Sequence, residues 1–192
     1  MRIGIDIDGV LCDSTKDLSG RVIRWNRENG SKYKERDSKY WETILDWSEE
    51  DYRDFIRKYC KDILLNVGVS KEAKRMINNW KNSGFEIFII TSRCTDDCGN
   101  DLENVTYDWL KKNNINVNYI ITSVYNKGEF CRTNKIDFMI DDKIRNIKDC
   151  IENSEVTRPI LFTGISKNDN VDYKKYEVDN WEKINEIVTG GF

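Results

Sequence analysis

The chain has 192 residues, with 34 acidic and 31 basic side chains for a formal net charge of −3. With no Lys/Arg-rich block, this balance argues against a bulk electrostatic grip on nucleic acid. The sequence has no histidine, which excludes Ser-His-Asp and Cys-His nucleophiles and His-ligated metals, leaving acid–base work to carboxylates, lysine, tyrosine or cysteine.

Residues 2–8 run apolar into Asp6 and Asp8 and predict a buried strand, with Gly9 permitting the turn that follows. STKDLSGRVIRWNRENG (14–30) sets Leu18, Val22, Ile23 and Trp25 at helical spacing between a serine start and a glycine stop. Residues 31–47 are polar and aromatic-rich without a clear period. SEEDYRDFIRKYCKDILLN (48–66) predicts a second helix, with Ser48 as N-cap and Tyr52, Phe55, Ile56 and Tyr59 on one face. SKEAKRMINNWKNSG (70–84) predicts a third, stopped at Gly84.

From there strand and helix alternate: strand 85–91, helix 101–113, strand 117–122, a short helix from Lys127 to Asn134, strand 137–141 and helix 143–152. Strand 159–164 starts at the single proline, Pro159, and helix 180–188 closes the chain. Such alternation implies an α/β fold, a parallel sheet with helices on both faces. Between the first two strands lie roughly sixty residues of helical, aromatic-studded sequence, too long for an ordinary crossover. Residues 14–67 are therefore expected to form a small helical cap, with 1–13 and 68–192 as the core.

The longest apolar runs, such as FEIFII (85–90), are far too short to span a bilayer, and Asp6 interrupts any leader-like start. The expectation is a cytoplasmic protein whose six cysteines (Cys12, Cys60, Cys94, Cys98, Cys131, Cys150) stay reduced. CTDDC (94–98) has spacing a zinc hairpin uses, but no matching second pair exists, so loop and core thiols are expected.

Residues two apart on a strand face the same way. Asp6 and Asp8, as fixed anions roughly 4 Å apart at an effective dielectric near 20, would repel by ~4 kcal/mol, so a cation is expected beside them. Ligands of open parallel sheets bind beyond the strands' carboxyl ends. There the sequence delivers Asp6 and Asp8, then Thr91, Ser92 and Arg93, then Asp141 and Asp142, with Lys127 opening the short helix. Each alone has a plain structural reading: a turn D-x-D, a Thr-Ser turn with a near twin in ITSV (121–124), a surface arginine, an acidic pair balancing a helix dipole. Their joint occurrence, in order and each at a strand exit, sets this edge apart.

DIDGVLCDS, IITSR and DFMIDDK, with the lysine between, resemble the four-motif pattern of the haloacid dehalogenase (HAD) superfamily, most closely its cytosolic 5′(3′)-deoxyribonucleotidase-like branch. The resemblance implies a Rossmann-like, HAD-like α/β core with a helical cap inserted after strand 1. It implies Mg²⁺-dependent hydrolysis of a small phosphate ester, a nucleoside (deoxy)monophosphate, through an aspartyl phosphate. By that resemblance Asp6 is the nucleophile and Asp8 the acid/base. Asp6 and Asp141 hold the metal by their side chains, Asp8 by its carbonyl, and Asp142 orients a ligand water. Thr91, with the N–H after it, holds phosphoryl oxygens. Lys127 neutralises phosphate and nucleophile, and Ser92 and Arg93 complete the substrate contacts. Lys135, at the far end of its helix, and Lys143, close behind the acidic pair, are rivals for the lysine. Among Trp25, Tyr33, Tyr40, Trp41, Trp47, Tyr52, Phe55 and Tyr59, one or two are candidates to stack on a base, the rest forming the cap's core.

Other readings stay open. A sugar phosphate or another small phosphometabolite fits the same chemistry, as does a phospho-ligand binder without turnover. A receiver-like signalling module gathers similar groups but places its acidic pair after strand 1 and its lysine after the last strand.

Overall fold

The computed structural model describes residues 1–38, 41–93, 102–165 and 171–190, apart from the side chains of Trp41 and Leu102. Tyr40 and the Cys94/Cys98 pair lie outside the described residues. The strands are β1 (Arg2–Ile5), β2 (Glu86–Ile90), β3 (Tyr119–Ile121), β4 (Phe138–Asp141), β5 (Arg158–Phe162) and β6 (Glu177–Val178). They form one sheet in the order β3-β2-β1-β4-β5-β6, every pair parallel. The two-residue β6 was not expected from sequence. Pro159 sits where β5 is paired on one side only, because β6 joins it at Leu161 and Phe162, so the missing N–H leaves no gap in the ladder.

The helices are α1 (Ser14–Glu28), α2 (Glu49–Asn66), α3 (Lys71–Asn82), α4 (Leu102–Lys112), α5 (Lys127–Asn134), α6 (Ile144–Asn153) and α7 (Trp181–Gly190). Ser48 and Ser70 cap α2 and α3, accepting from Asp51 N and Ala73 N. At α1 the cap is Asp13, which accepts from Lys16 N, while Ser14 turns inward and is buried. Both sheet faces are covered, as the continuous apolar strands require. Ile3, Ile5, Ile87, Ile89 and Ile140 share one core with Trp80, Trp109 and Ile184; Phe88, Ile90 and Met139 share another with Cys131 and Cys150.

Residues 14–67 leave and rejoin the core side by side: Ser70 N–H donates to Leu11 O at 2.8 Å, and Cys12 pairs with Val69. The segment has its own apolar cluster, including Leu18, Val22, Phe55, Ile56 and Ile63, joined by Val105 of α4. Trp25, Tyr33, Trp47, Tyr52, Phe55 and Tyr59 pack ring against ring within it. Cys12, Cys131 and Cys150 are free and buried, as expected of reduced thiols, but Cys60 is disulfide-bonded. Counting cysteines cannot say which thiols a fold brings within bonding distance.

Candidate active site

The ladder runs one residue past β1: Asp6 N–H donates to Ile140 O at 2.9 Å, which lays Asp6 beside Asp141 at the end of β4. Strand order reverses between β1 and β4, so both acids flank the crevice where open α/β sheets bind ligands. A cation stands between these two acids, and it is a lysine. Lys127 Nζ lies 2.8 Å from Asp6 Oδ1 and 2.6 Å from Asp141 Oδ2, wholly buried.

Close packing of α5 on α6 puts the lysine there. Asn126 makes no side-chain cap bond; instead Asp149 of α6 accepts from Gly128 N at 2.6 Å. A Cβ on Gly128 would stand 2.2 Å from Asp149 O, so only glycine allows this approach. Of the rivals, Lys135 is exposed at the far end of α5, and Lys143 reaches Asp142 Oδ2 at 3.0 Å from the solvent side.

Asp141 is held by more than the lysine. Lys143 N donates to Oδ1 at 2.8 Å, and Asn146 Nδ2 lies 2.9 Å from each oxygen. Asn146 was missed in the sequence. Its signal is a polar residue in the buried stripe that α6 forms with Ile147 and Cys150.

Carboxylate oxygens of Asp6, Asp141 and Asp142 all lie within 4.8 Å of one another. Asp142 Oδ1 is buried and has no hydrogen-bond partner among the described residues. Three carboxylates gathered so closely could hold a cation, and an all-oxygen set suits a hard one such as Mg²⁺. Gly9 makes room for Asp142. Its φ is +84°, and a Cβ there would stand 2.3 Å from Asp142 Oδ2. Gly9→Ala is expected to destabilise by about 1–3 kcal/mol in urea denaturation and to weaken Mg²⁺-induced stabilisation. A variant matching the parent in both would contradict this account of Asp142.

Asp8 has its own counter-ion. Arg93 Nε donates to Oδ2 and Nη2 to Oδ1, both at 2.7 Å, and Ser14 adds a side-chain hydrogen bond. Arg93 is thus a buried clamp on Asp8 and not a surface arginine. Ser92 is spent locally, its hydroxyl donating to Val124 O at 3.0 Å. Thr91 is buried just past β2, its Oγ1 accepting from Arg93 N at 3.2 Å. The twin motif braces this turn, Ser123 N donating to Arg93 O and Val124 N to Thr91 O.

The two aspartates are pushed apart in proton affinity. Burial raises Asp6 to about 7, helped by Asp141, Asp8 and Asp142 and opposed by Lys127. Burial also works against ionised Asp8, but the charge and hydrogen bonds of Arg93, with the Ser14 bond, hold it below the usual carboxylate range. With lysine as its cation, Asp6 therefore holds its proton more tightly than Asp8, the reverse of nucleophile and acid. A divalent cation among Asp6, Asp141 and Asp142 would favour ionised Asp6. Asp142 is likewise raised, to about 6, mainly by burial. The Cys12 thiol beside Asp8 is pushed up by burial and by that carboxylate, so it stays protonated.

A six-stranded parallel sheet with paired acids and a buried lysine at its switch point is the architecture of the HAD superfamily. Solved structures with this fold include a haloacid dehalogenase-like hydrolase from Streptococcus pneumoniae (14% identity, TM-score 0.68, 95% of each chain covered). A predicted phosphatase from Clostridium acetobutylicum (14%, 0.70, 98% of this chain and 97% of that one) is similar. So is a HAD-superfamily hydrolase of subfamily IA from Geobacter sulfurreducens (14%, 0.63, 97% and 94%). No curated protein sequence matches the chain significantly. The family model for 5′ nucleotidase, deoxy (pyrimidine), cytosolic type C protein matches residues 1–190, and the chain belongs to that family. It is a HAD-superfamily phosphatase.

Proposed function

We propose that the chain hydrolyses nucleoside (deoxy)monophosphates in a Mg²⁺-dependent reaction through a phosphoryl group carried on Asp6. Residues 14–67 act as the cap over the site, and the working compartment is the cytoplasm. The observation that carries the catalytic reading is the buried Lys127 bridge between Asp6 and Asp141, with the Asp142 carboxylate turned toward both. The nucleotide preference rests on the family. The cap aromatics pack chiefly on one another.

Asp6, Asp141 and Asp142, with the Asp8 carbonyl, would hold Mg²⁺, which supplies positive charge to the phosphoryl oxygens and favours ionised Asp6. An Asp6 oxygen attacks phosphorus as the ester P–O bond breaks, and Asp8, having taken up a proton from the monoanionic phosphate ester, passes it to the departing alkoxide. Water then attacks the same phosphorus and gives its proton back to Asp8. The Asp6–phosphorus bond breaks, releasing phosphate and free Asp6. Lys127 and the Thr91 turn offset negative charge on the transferring group. An alkoxide is a poor leaving group, which is why an acid two residues from the nucleophile is needed.

The test is hydrolysis by the purified protein, with Mg²⁺ and with EDTA, of a panel of nucleoside monophosphates, sugar phosphates and oligonucleotide ends. The proposal expects metal-dependent turnover with nucleoside monophosphates preferred. A clear preference for sugar phosphates would overturn the nucleotidase reading and keep the phosphatase, whereas no turnover on any ester would favour a binder.

Proton linkage gives a second check. Folded Asp6, raised to about 7, keeps a proton that the unfolded chain loses near 3.8, so metal-free stability is expected to fall as pH rises between those values. Mg²⁺ stabilises the ionised cluster. Its rise in melting temperature over EDTA is expected to be larger near pH 8 than near pH 5. Equal rises at both pH values would contradict the assigned ligand set.

A further inference from the structure

Arg93 is buried where its sequence position allowed a surface side chain, and its geometry marks it for a role beyond substrate contact. Taking Asp8 as the acid/base, as above, we propose that Arg93 is a positioning residue that fixes the plane of the Asp8 carboxylate so that it meets the leaving-group oxygen. The protein's power to break bonds to poor leaving groups then depends on Arg93.

The two 2.7 Å bonds run from different guanidinium nitrogens to different carboxylate oxygens. One bond would leave the carboxylate free to rotate about its terminal torsion; two parallel bonds remove that freedom. The clamp is applied from the protein side. The Arg93 side chain is 6% exposed and that of Asp8 33%, so the acid stays reachable from the crevice.

Arg93 is itself held on every side. Its guanidinium carbon lies 5.9 Å over the ring of Trp109, which is fully buried and whose Nε1 donates to Val67 O at 2.9 Å. Its backbone N–H is tied to Thr91 Oγ1 and its carbonyl to Ser123 N. Nη1 is buried with no partner among the described residues.

A positioning role predicts a loss that tracks the leaving group, because nitrophenolates depart without a proton and alkoxides do not. The experiment measures kcat/KM, with Mg²⁺, for an alkyl phosphate, phenyl phosphate, 4-nitrophenyl phosphate and 2,4-dinitrophenyl phosphate. Wild type is compared with Arg93→Met, Arg93→Lys, Asp8→Asn and the Asp8→Asn/Arg93→Met double variant, each checked for folding by circular dichroism. Arg93→Met is expected to lose about 10²-fold on the alkyl ester and under about 3-fold on the dinitrophenyl ester. Arg93→Lys, one point charge in place of a fork, falls between. Asp8→Asn shows the same steep profile, and adding Arg93→Met to it costs the alkyl ester nothing more.

Equal losses across the series, no loss anywhere, or an additive double variant would each overturn the role of Arg93 while leaving the phosphatase intact. A wild-type chain inert on the whole series would instead overturn the reading of Asp8 on which the proposal stands.

Discussion

Asp6→Asn is expected to lower kcat on any phosphomonoester by about 10⁴-fold or more while leaving the fold as stable as wild type or more so. The activity falls because an amide is too weak a nucleophile to attack phosphorus. The stability holds because Lys127 keeps its 2.6 Å bond to Asp141, so no buried cation is orphaned. The substitution also removes a carboxylate that burial and three neighbouring acids push up to about 7. Steady-state kinetics and urea denaturation of the same preparation check both halves. Loss of activity with loss of folding would mean that Asp6 is a structural anion, and retained activity would remove it from the chemistry.

Lys127→Met is expected to do the opposite to stability. It strands Asp6 and Asp141 against each other in a site where Lys127 is wholly buried and Asp141 likewise. Removing one partner of a buried ion pair typically costs about 3–5 kcal/mol, and here one lysine serves two acids. Activity falls too, by about 10²–10³-fold, since the charge facing the transferring phosphoryl group is gone. Mg²⁺ recovers part of the stability by supplying charge to the same carboxylates, but not the activity. A Lys127→Met protein as stable as wild type in EDTA would show that the two acids do not need the lysine.

Much of this site was readable before any coordinates. The D-x-D at the end of β1, the acidic pair at the end of β4 and the lysine opening α5 are local signals, each tied to a boundary that apolar periodicity marks. What stayed hidden is what only tertiary contact decides. Arg93 lies 85 residues from Asp8, and nothing in T-S-R distinguishes a clamp from a surface side chain. Asp149 capping α5 and the close packing that leaves no room for a Cβ at Gly128 depend on how α6 lies against it. β6 is two residues long, too short to carry a period, and forms only because β5 offers an edge.

The most direct measurement is chemical trapping at residue 6. Protein turning over a phosphomonoester with Mg²⁺ is acid-quenched, reduced with borohydride and digested, and the peptide holding residues 1–8 is sequenced by mass spectrometry. The account predicts homoserine in place of Asp6, formed only when substrate and Mg²⁺ are both present. Reduction at any other carboxylate, or none at position 6 while phosphate is being released, would contradict it.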